Sequence, residues 1–365
     1  MELPDTRLDM SRGERARRYG DVASALALHS DRQLGQALEQ ARVVGAGIGG
    51  TSVLLDVEGV PVFAKRIPLT DLERRPANVM STANLFGLPP FCQYGVAAIG
   101  TPGFGAWREL AAAAMTTGWV LAGHSAAFPL LYHWRVLPGA PPPAAEHADV
   151  EAAVEYWDGS PAVRERLHAL ARASAGIVLF QEFIPHDLNH WLAAQVAAGQ
   201  EAATAAAAML ESCLPRDVAF MNGRHLMHFD GHFGNILTDG ERLYLADLGL
   251  ATSSRFDLAK PEIEFLERNR THDTAYALAR LVNWIVTDVC GVRSPNGAVE
   301  ERNAYIRACA EGADPAGAPP AVAPTIRRYA PVAAAVNDFH WHLWGTSRTT
   351  PYPSEKIERA LSAMR

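Results

Sequence analysis

The apolar positions change their spacing several times along the chain, and each change marks an element. Residues 1–40 carry Arg, Glu and Ala at helical spacing and predict a helical N-terminal extension. From Val43 to Lys65 the character switches to β-branched runs. Val43-Val44, a glycine cluster, Thr51 to Val57, a Glu58-Gly59 turn and Val60 to Ala64 predict a strand–turn–strand meander. Residues 66–105 are rich in loop signals, with Pro89-Pro90 and Gly100 to Gly105, before an alanine-rich helix opens at Ala106-Trp107-Arg108-Glu109-Leu110. Pro129 to Leu137 predicts a strand. Residues 138–175 start with a proline run and turn acidic and helical, as an insertion would. Ile177 to Phe183 is a continuous apolar strand. Helices are predicted from Leu188 to about Leu214 and, largely buried, from Thr274 to Val286. A Gly/Pro/Ala-rich loop over 311–324, helical residues from Ile326 to Trp344 and a polar tail follow. There is no internal repeat.

Strands in front and helices behind predict an α+β chain. Its units are the extension (1–40), a strand-rich unit (41–182, with the insertion near 138–175) and a mainly helical unit (183–365). A length of 365 residues suits two lobes around a cleft. The balance of 48% hydrophobic and 20% charged residues is that of an ordinary globular protein. A net charge of −7 gives no electrostatic footprint for nucleic acid and slightly favours a cationic or neutral ligand. Cys92, Cys213, Cys290 and Cys309 are scattered without a CxxC, which points to neither a disulfide framework nor a zinc site. The charged N-terminus lacks an apolar signal core, and no stretch reaches the roughly 18 apolar residues of a membrane span. The expectation is a cytoplasmic protein without a membrane or nucleic-acid partner; the oligomeric state is not legible.

Candidate chemistry concentrates in three places. Gly45-x-Gly47-x-x-Gly50, with Gly49, opens a β-branched strand rather than a helix. In that context glycines form a hairpin whose amides approach phosphates without Cβ interference. Lys65, fifteen residues after Gly50, ends an apolar strand in a chain with only three lysines among 33 basic residues. Where any cation would serve, this chain uses arginine, so a strand lysine stands out as a point charge for phosphates. Glu109, at the start of the alanine-rich helix, is the candidate partner for its ammonium. The third place is His228-Phe229-Asp230-Gly231-His232-Phe233-Gly234-Asn235, followed by Ala246-Asp247-Leu248-Gly249. An acid to orient a hydroxyl, with an amide and a second carboxylate to hold magnesium against a nucleoside triphosphate, is the set phosphoryl transfer needs. Glu182 and Ile184, at the end of the apolar strand, would offer backbone groups to a purine edge.

These motifs resemble those of the protein-kinase-like superfamily, and within it the aminoglycoside phosphotransferase and choline-kinase-like small-molecule kinases. The resemblance covers roughly 45 to 275 and is specific at the glycine loop, Lys65 and 228–251. It implies a bilobal fold, with a small lobe of antiparallel strands plus one helix and a larger, mainly helical lobe. It also implies ATP or GTP and Mg²⁺ between the lobes. By that resemblance Asp230 is the catalytic acid, Asn235 and Asp247 bind Mg²⁺, and Lys65 binds the α- and β-phosphates. His232 matches the Asp-x-His-x-x-Asn pattern of small-molecule kinases; it implies a pH-sensitive charge near the transferred group, with a loop-packing role as the other reading.

The acceptor is the open question. Ala-Asp-Leu-Gly-Leu-Ala is similar to the protein-kinase magnesium motif. The span Ser253 to Arg270, however, is short and lacks Ala-Pro-Glu, which leaves little room for a peptide platform. A candidate buried aspartate, Asp273, follows at once. The expectation is γ-phosphoryl transfer to a hydroxyl of a small molecule, an antibiotic or related metabolite. A protein Ser/Thr kinase and a nucleotide-binding pseudokinase are the alternatives. Acidic residues at 257, 262, 264 and 267 are expected on a solvated helix face, with a cationic-substrate cleft as the other reading.

Overall fold

The computed structural model describes residues 10–47, 50–95, 97–293 and 299–364 and is α+β. Two helices lead, α1 (Arg12–Leu28) and α2 (Asp31–Gln40). Ser11 caps the first, and Ser30 with Gln33 forms a capping box on the second, which satisfies amides a helix start leaves open. From Arg12 the extension is helical, residues 1–9 lying outside the described residues, and it does not stand apart: Val22, Leu26, Leu34 and Leu38 belong to the main apolar core.

The predicted meander is β1 (Arg42–Gly47), β2 (Gly50–Val57) and β3 (Val60–Leu69). Glu58 and Gly59 both have positive φ, 52° and 80°, the two-residue turn whose twist matches paired strands. Residues 70–105 carry only short 3₁₀ turns, after which α3 (Ala106–Leu121) begins. Then come β4 (Leu131–Pro138), α4 (Val150–Tyr156), α5 (Pro161–Ala171) and β5 (Ala175–Glu182). The five strands form one antiparallel sheet in the order β1-β2-β3-β5-β4. Lying between two strands and covered on both faces, β5 is buried almost throughout, which is why it reads as an unbroken apolar run.

The two loop-rich insertions are one structure. Phe86, Leu88, Cys92 and Phe104 from the first pack with Val154, Trp157, Val163 and Leu167 from α4 and α5 in a second apolar core. Glu73 ties them together. Its carboxylate accepts from Arg166 of α5 at 2.8 Å and from the Ala106 amide at the start of α3 at 2.9 Å.

The remainder is mostly helical: β6 (His186–Asp187), α6 (Leu188–Ala198), α7 (Gln200–Gly223), β7 (Leu226–Met227), β8 (Ile236–Thr238), β9 (Leu243–Leu245) and β10 (Thr252–Ser253), then α8 (Lys260–Arg268), α9 (His272–Trp284), α10 (Glu300–Ala310), α11 (Ala323–Gly345) and α12 (Ser354–Ser362). Two expectations need correction. Helix α7 runs through Pro215 to Gly223, beyond the predicted end, and the polar tail is the helix α12, which buries the single apolar residue Ile357. Among the described residues no helix is long and apolar enough to cross a membrane.

One buried ion pair fastens the extension to the sheet. Arg15 of α1 grips Glu182 at the end of β5, with Nε 3.0 Å and one terminal nitrogen 2.6 Å from the carboxylate. The same guanidinium donates to the carbonyls of Ala126 and Phe128 and lies over the Tyr244 ring. Replacing Arg15 with Ala leaves the Glu182 carboxylate buried with the Leu130 amide at 3.2 Å and, as its one cation among the described residues, Arg18 at 3.4 Å. Arg15→Ala is therefore expected to lower unfolding free energy by about 3–5 kcal/mol, measured by urea denaturation. A loss under about 1 kcal/mol would show that the extension is not fastened in this way.

Candidate active site

The loop from His228 to Asn235 is shaped from below by Asp273. That carboxylate, buried at the start of α9, accepts from the His228 amide at 2.6 Å, the Phe229 amide at 3.0 Å and Asn222 Nδ2 at 2.9 Å. Burial alone would raise its pKa, but these donors and His272 hold it below the ordinary aspartate range. Phe229 is thereby held at φ +60°, and the next residue is Asp230. Asn235 Nδ2 donates to the Asp230 carbonyl at 3.0 Å and to its Oδ2 at 2.9 Å. The Ala246 amide in turn donates to the Asn235 carbonyl, so the β8–β9 hairpin delivers Asp247 beside this pair. Asp247 adopts φ 49°, ψ 74°, a left-handed conformation uncommon outside glycine.

Lys65 closes the constellation from above. Its Nζ lies 2.7 Å from Glu109 Oε1 on α3 and 2.7 Å from Asp247 Oδ1. Burial opposes the lysine charge, but the two carboxylates outweigh it and raise the pKa of the ammonium. Partial withdrawal from water would raise Asp247, yet Lys65 holds it down, whereas burial keeps Glu109 raised. Asp230 has no cation so close. Burial first, and the Asp247 charge second, push it up to about 7, and its Oδ1 is buried with no hydrogen-bond partner.

Burial and then the Arg280 guanidinium push His232 down to about 4, so its ring is neutral near pH 7 in this structure. Its Nδ1 accepts from the Gly234 amide at 3.0 Å, and Nε2 stands 3.8 Å from Asp230 Oδ1. The acidic residues after 253 need correction. Asp257, Glu264 and Glu267 are exposed, but Glu262 is buried and pairs with Arg108 of α3 at 2.7 Å.

A cleft of about 340 Å³ joins these groups. Gly45, Gly50, Lys65, Glu109, Asp230, His232, Asn235 and Asp247 all line it. Gly47 pairs with Gly50 across the hairpin, and Gly49 lies outside the described residues. At φ +110° Gly50 has no alternative residue: a Cβ would sit 1.8 Å from the Arg66 carbonyl oxygen. Glu182 and Ile184 are not among the lining residues. Both are buried; the Glu182 amide donates to the Leu130 carbonyl and its carboxylate is held by Arg15.

Sequence reading passed over Gly95. This residue of the first insertion lies directly on Asp230, and a Cβ there would stand 2.0 Å from Oδ1. Neighbouring Tyr94 anchors the segment, its ring edge-on to Phe265 and Phe339 and its hydroxyl 2.7 Å from Asn269 Oδ1. The only signal was a lone glycine in a loop-rich stretch, which carries no information about what it touches. Thr101, Gly103 and Arg166 of the insertions extend the wall beyond Asp230.

The residues present fit a divalent ion of one kind. Among the described residues no three His, Cys, Asp or Glu side chains converge into a cage. A hard ion with one carboxylate, one amide oxygen and ligand phosphates is the mode typical of Mg²⁺. Asn235 spends its nitrogen on Asp230, leaving its oxygen available, and the Asp247 side chain is 43% exposed with one oxygen on Lys65. No protein-family model matches the chain, and no curated protein matches it significantly.

Two outcomes follow from this geometry. Gly95→Ala forces Asp230 or the insertion to move, and is expected to cut any Asp230-dependent activity by at least roughly ten-fold with little change in fold, checked by turnover alongside circular dichroism. Asp273→Asn is expected to cost about 2–3 kcal/mol at pH 7. Because the folded pKa is depressed, the wild-type advantage is complete above the ordinary value of about 3.9 and shrinks as pH falls toward the folded value. Denaturation curves between pH 3 and 7 measure that narrowing gap.

Proposed function

We propose that the chain is a kinase-like phosphotransferase that moves the γ-phosphoryl of ATP or GTP to a hydroxyl of a small molecule. The observation that carries this reading is the bridge of Lys65 to Glu109 and Asp247, with Asp230 and Asn235 hydrogen-bonded beside it. A small antiparallel sheet with one helix, α3, set between β3 and β4 in the chain supports the bilobal kinase-like fold.

In this reading the Gly45–Gly50 hairpin and Lys65 cradle the phosphates. Asn235 and Asp247 would hold Mg²⁺, which supplies neutralisation of charge on the phosphate oxygens. The purine edge would fall to main-chain atoms near Ile184, since the Glu182 amide already donates to the Leu130 carbonyl. Asp230 orients the acceptor hydroxyl and takes its proton late. Its side chain lines the cleft, stays 21% exposed and is not clamped by a cation as Asp247 is, which supports that role. An aspartate suffices as base because little proton transfer is needed early in a loose transition state.

A small-molecule acceptor is favoured over a protein. The span between Asp247 and Asp273 is filled by β10 and α8, and α8 buries Glu262 against Arg108 rather than leaving an open platform. An antibiotic or related metabolite is the class to test first. A pseudokinase would need part of the phosphate-handling set to be missing, and Lys65, Asp230, Asn235 and Asp247 all line one cleft.

Incubation with γ-labelled ATP and GTP and a panel of hydroxylated antibiotics, with and without Mg²⁺, tests this. Label on a small molecule, abolished by chelation and reduced by about 10²–10⁴-fold in Asp230→Asn, is the expected result. Label on protein alone would make it a protein kinase. Nucleotide binding without turnover of any acceptor or of water would favour the pseudokinase.

A further inference from the structure

A second cavity, of about 510 Å³, opens between α9, α10 and α11. Its charge is opposite to that of the chain. Arg280 and Arg302 both line it, and no acidic residue does among the described residues. Arg302 turns its Nε and one terminal nitrogen to the neutral oxygen of Asn303, at 3.2 and 2.9 Å. Arg280 lies over the Phe233 ring, 5.3 Å from its centre, and its Nε is buried without a hydrogen-bond partner. The two charges are close enough to act on each other: burial and then Arg280 press Arg302 below its usual range. His340 on the same wall is pushed down to about 3, chiefly by burial, and adds no charge of its own.

Two cations facing one space without a carboxylate is an unfavourable arrangement for a folded protein. The arginines this chain buries fully are paired, Arg15 with Glu182, Arg108 with Glu262 and Arg166 with Glu73, whereas Arg280 and Arg302 are half-buried and face a cavity that no acidic residue lines among the described residues. This pair coincides with an open wall of rings, in which Trp341 is 49% exposed. An exposed tryptophan beside forked donors is a surface for a flat ring bearing a negative group.

We propose that this cavity is a binding site for a small anionic molecule, its carboxylate or phosphate held by Arg280 and Arg302 and its ring laid on Trp341. The site does not depend on the phosphotransferase reading. Its occupant is the acceptor itself or a separate effector, and both share this chemistry.

Phenyl phosphate, with benzylamine as the oppositely charged control, tests it by calorimetry on the full chain in the presence of saturating Mg–ATP, which keeps the probe out of the first cleft. Saturable binding of phenyl phosphate and not of benzylamine is expected, weakened at least roughly ten-fold in Arg302→Gln and restored in Arg302→Lys. An Arg280→Met variant should weaken it too, with the nucleotide thermal shift unchanged as evidence of folding. Equal affinity for the two probes, or undiminished binding in both loss-of-charge variants, would overturn the proposal. A failed nucleotide shift in the wild-type chain would count against the phosphotransferase reading alone; phenyl phosphate is then titrated without nucleotide into Lys65→Met, with the same outcomes deciding. With 4-(hydroxymethyl)benzoate as a second probe, transfer of label to its hydroxyl identifies the acceptor, and Arg302-dependent binding without transfer identifies an effector.

Discussion

A lysine ammonium withdrawn from water must find negative charge, and much of this structure is arranged around that requirement. Lys65 sits on β3 with two carboxylates from unrelated parts of the chain, Glu109 of α3 and Asp247 after β9. Removing either would leave a buried charge only partly compensated, so the pair of contacts fixes how the sheet, the helix and the 247 turn sit together. The register that places Lys65 opposite Leu179 of the buried strand β5 anchors it from the other side. The bridge is a structural clasp, and in the proposed reading it also assembles the charge set for phosphates.

Asp230 shows the complementary strategy. The structure satisfies one of its oxygens through Asn235 and leaves the other buried and unpartnered under Gly95. An unpaired buried oxygen is costly, and the surrounding network is rigid enough to sustain it: Asp273 holds the His228 and Phe229 amides, and Tyr94 ties the covering segment into an aromatic cluster. Strain at Asp230 is thus supported by satisfied polar groups one layer away. The insertion that carries Gly95 is part of the site, not an ornament on it.

Charge is distributed unevenly in a way the total conceals. The chain is net negative at −7, yet among the described residues the cavity beside α9 presents two arginines and no carboxylate. Net charge governs solubility and long-range attraction, while recognition is decided by the few groups that share a desolvated space. The expectation of a cationic or neutral ligand came from the sum.

What the sequence determined by itself was local: the strand–turn–strand meander with its Glu58-Gly59 turn, the buried run of β5, the helix at Ala106, and the spacing that puts Asp230, Asn235 and Asp247 within one short stretch. These are legible because backbone propensity, turn chemistry and motif spacing act over a few residues. Even the pairing of Lys65 with Glu109 could be foreseen, since a strand lysine and a helix-start glutamate follow each other in order. Tertiary structure alone decided that Glu182 would spend its carboxylate on Arg15, 167 residues away, that His232 would be neutral, and that Gly95 would cover Asp230. It also decided that two loop-rich insertions would fold into one core. Each of these depends on which side chains share a desolvated neighbourhood, and that is set by packing between segments far apart in the chain.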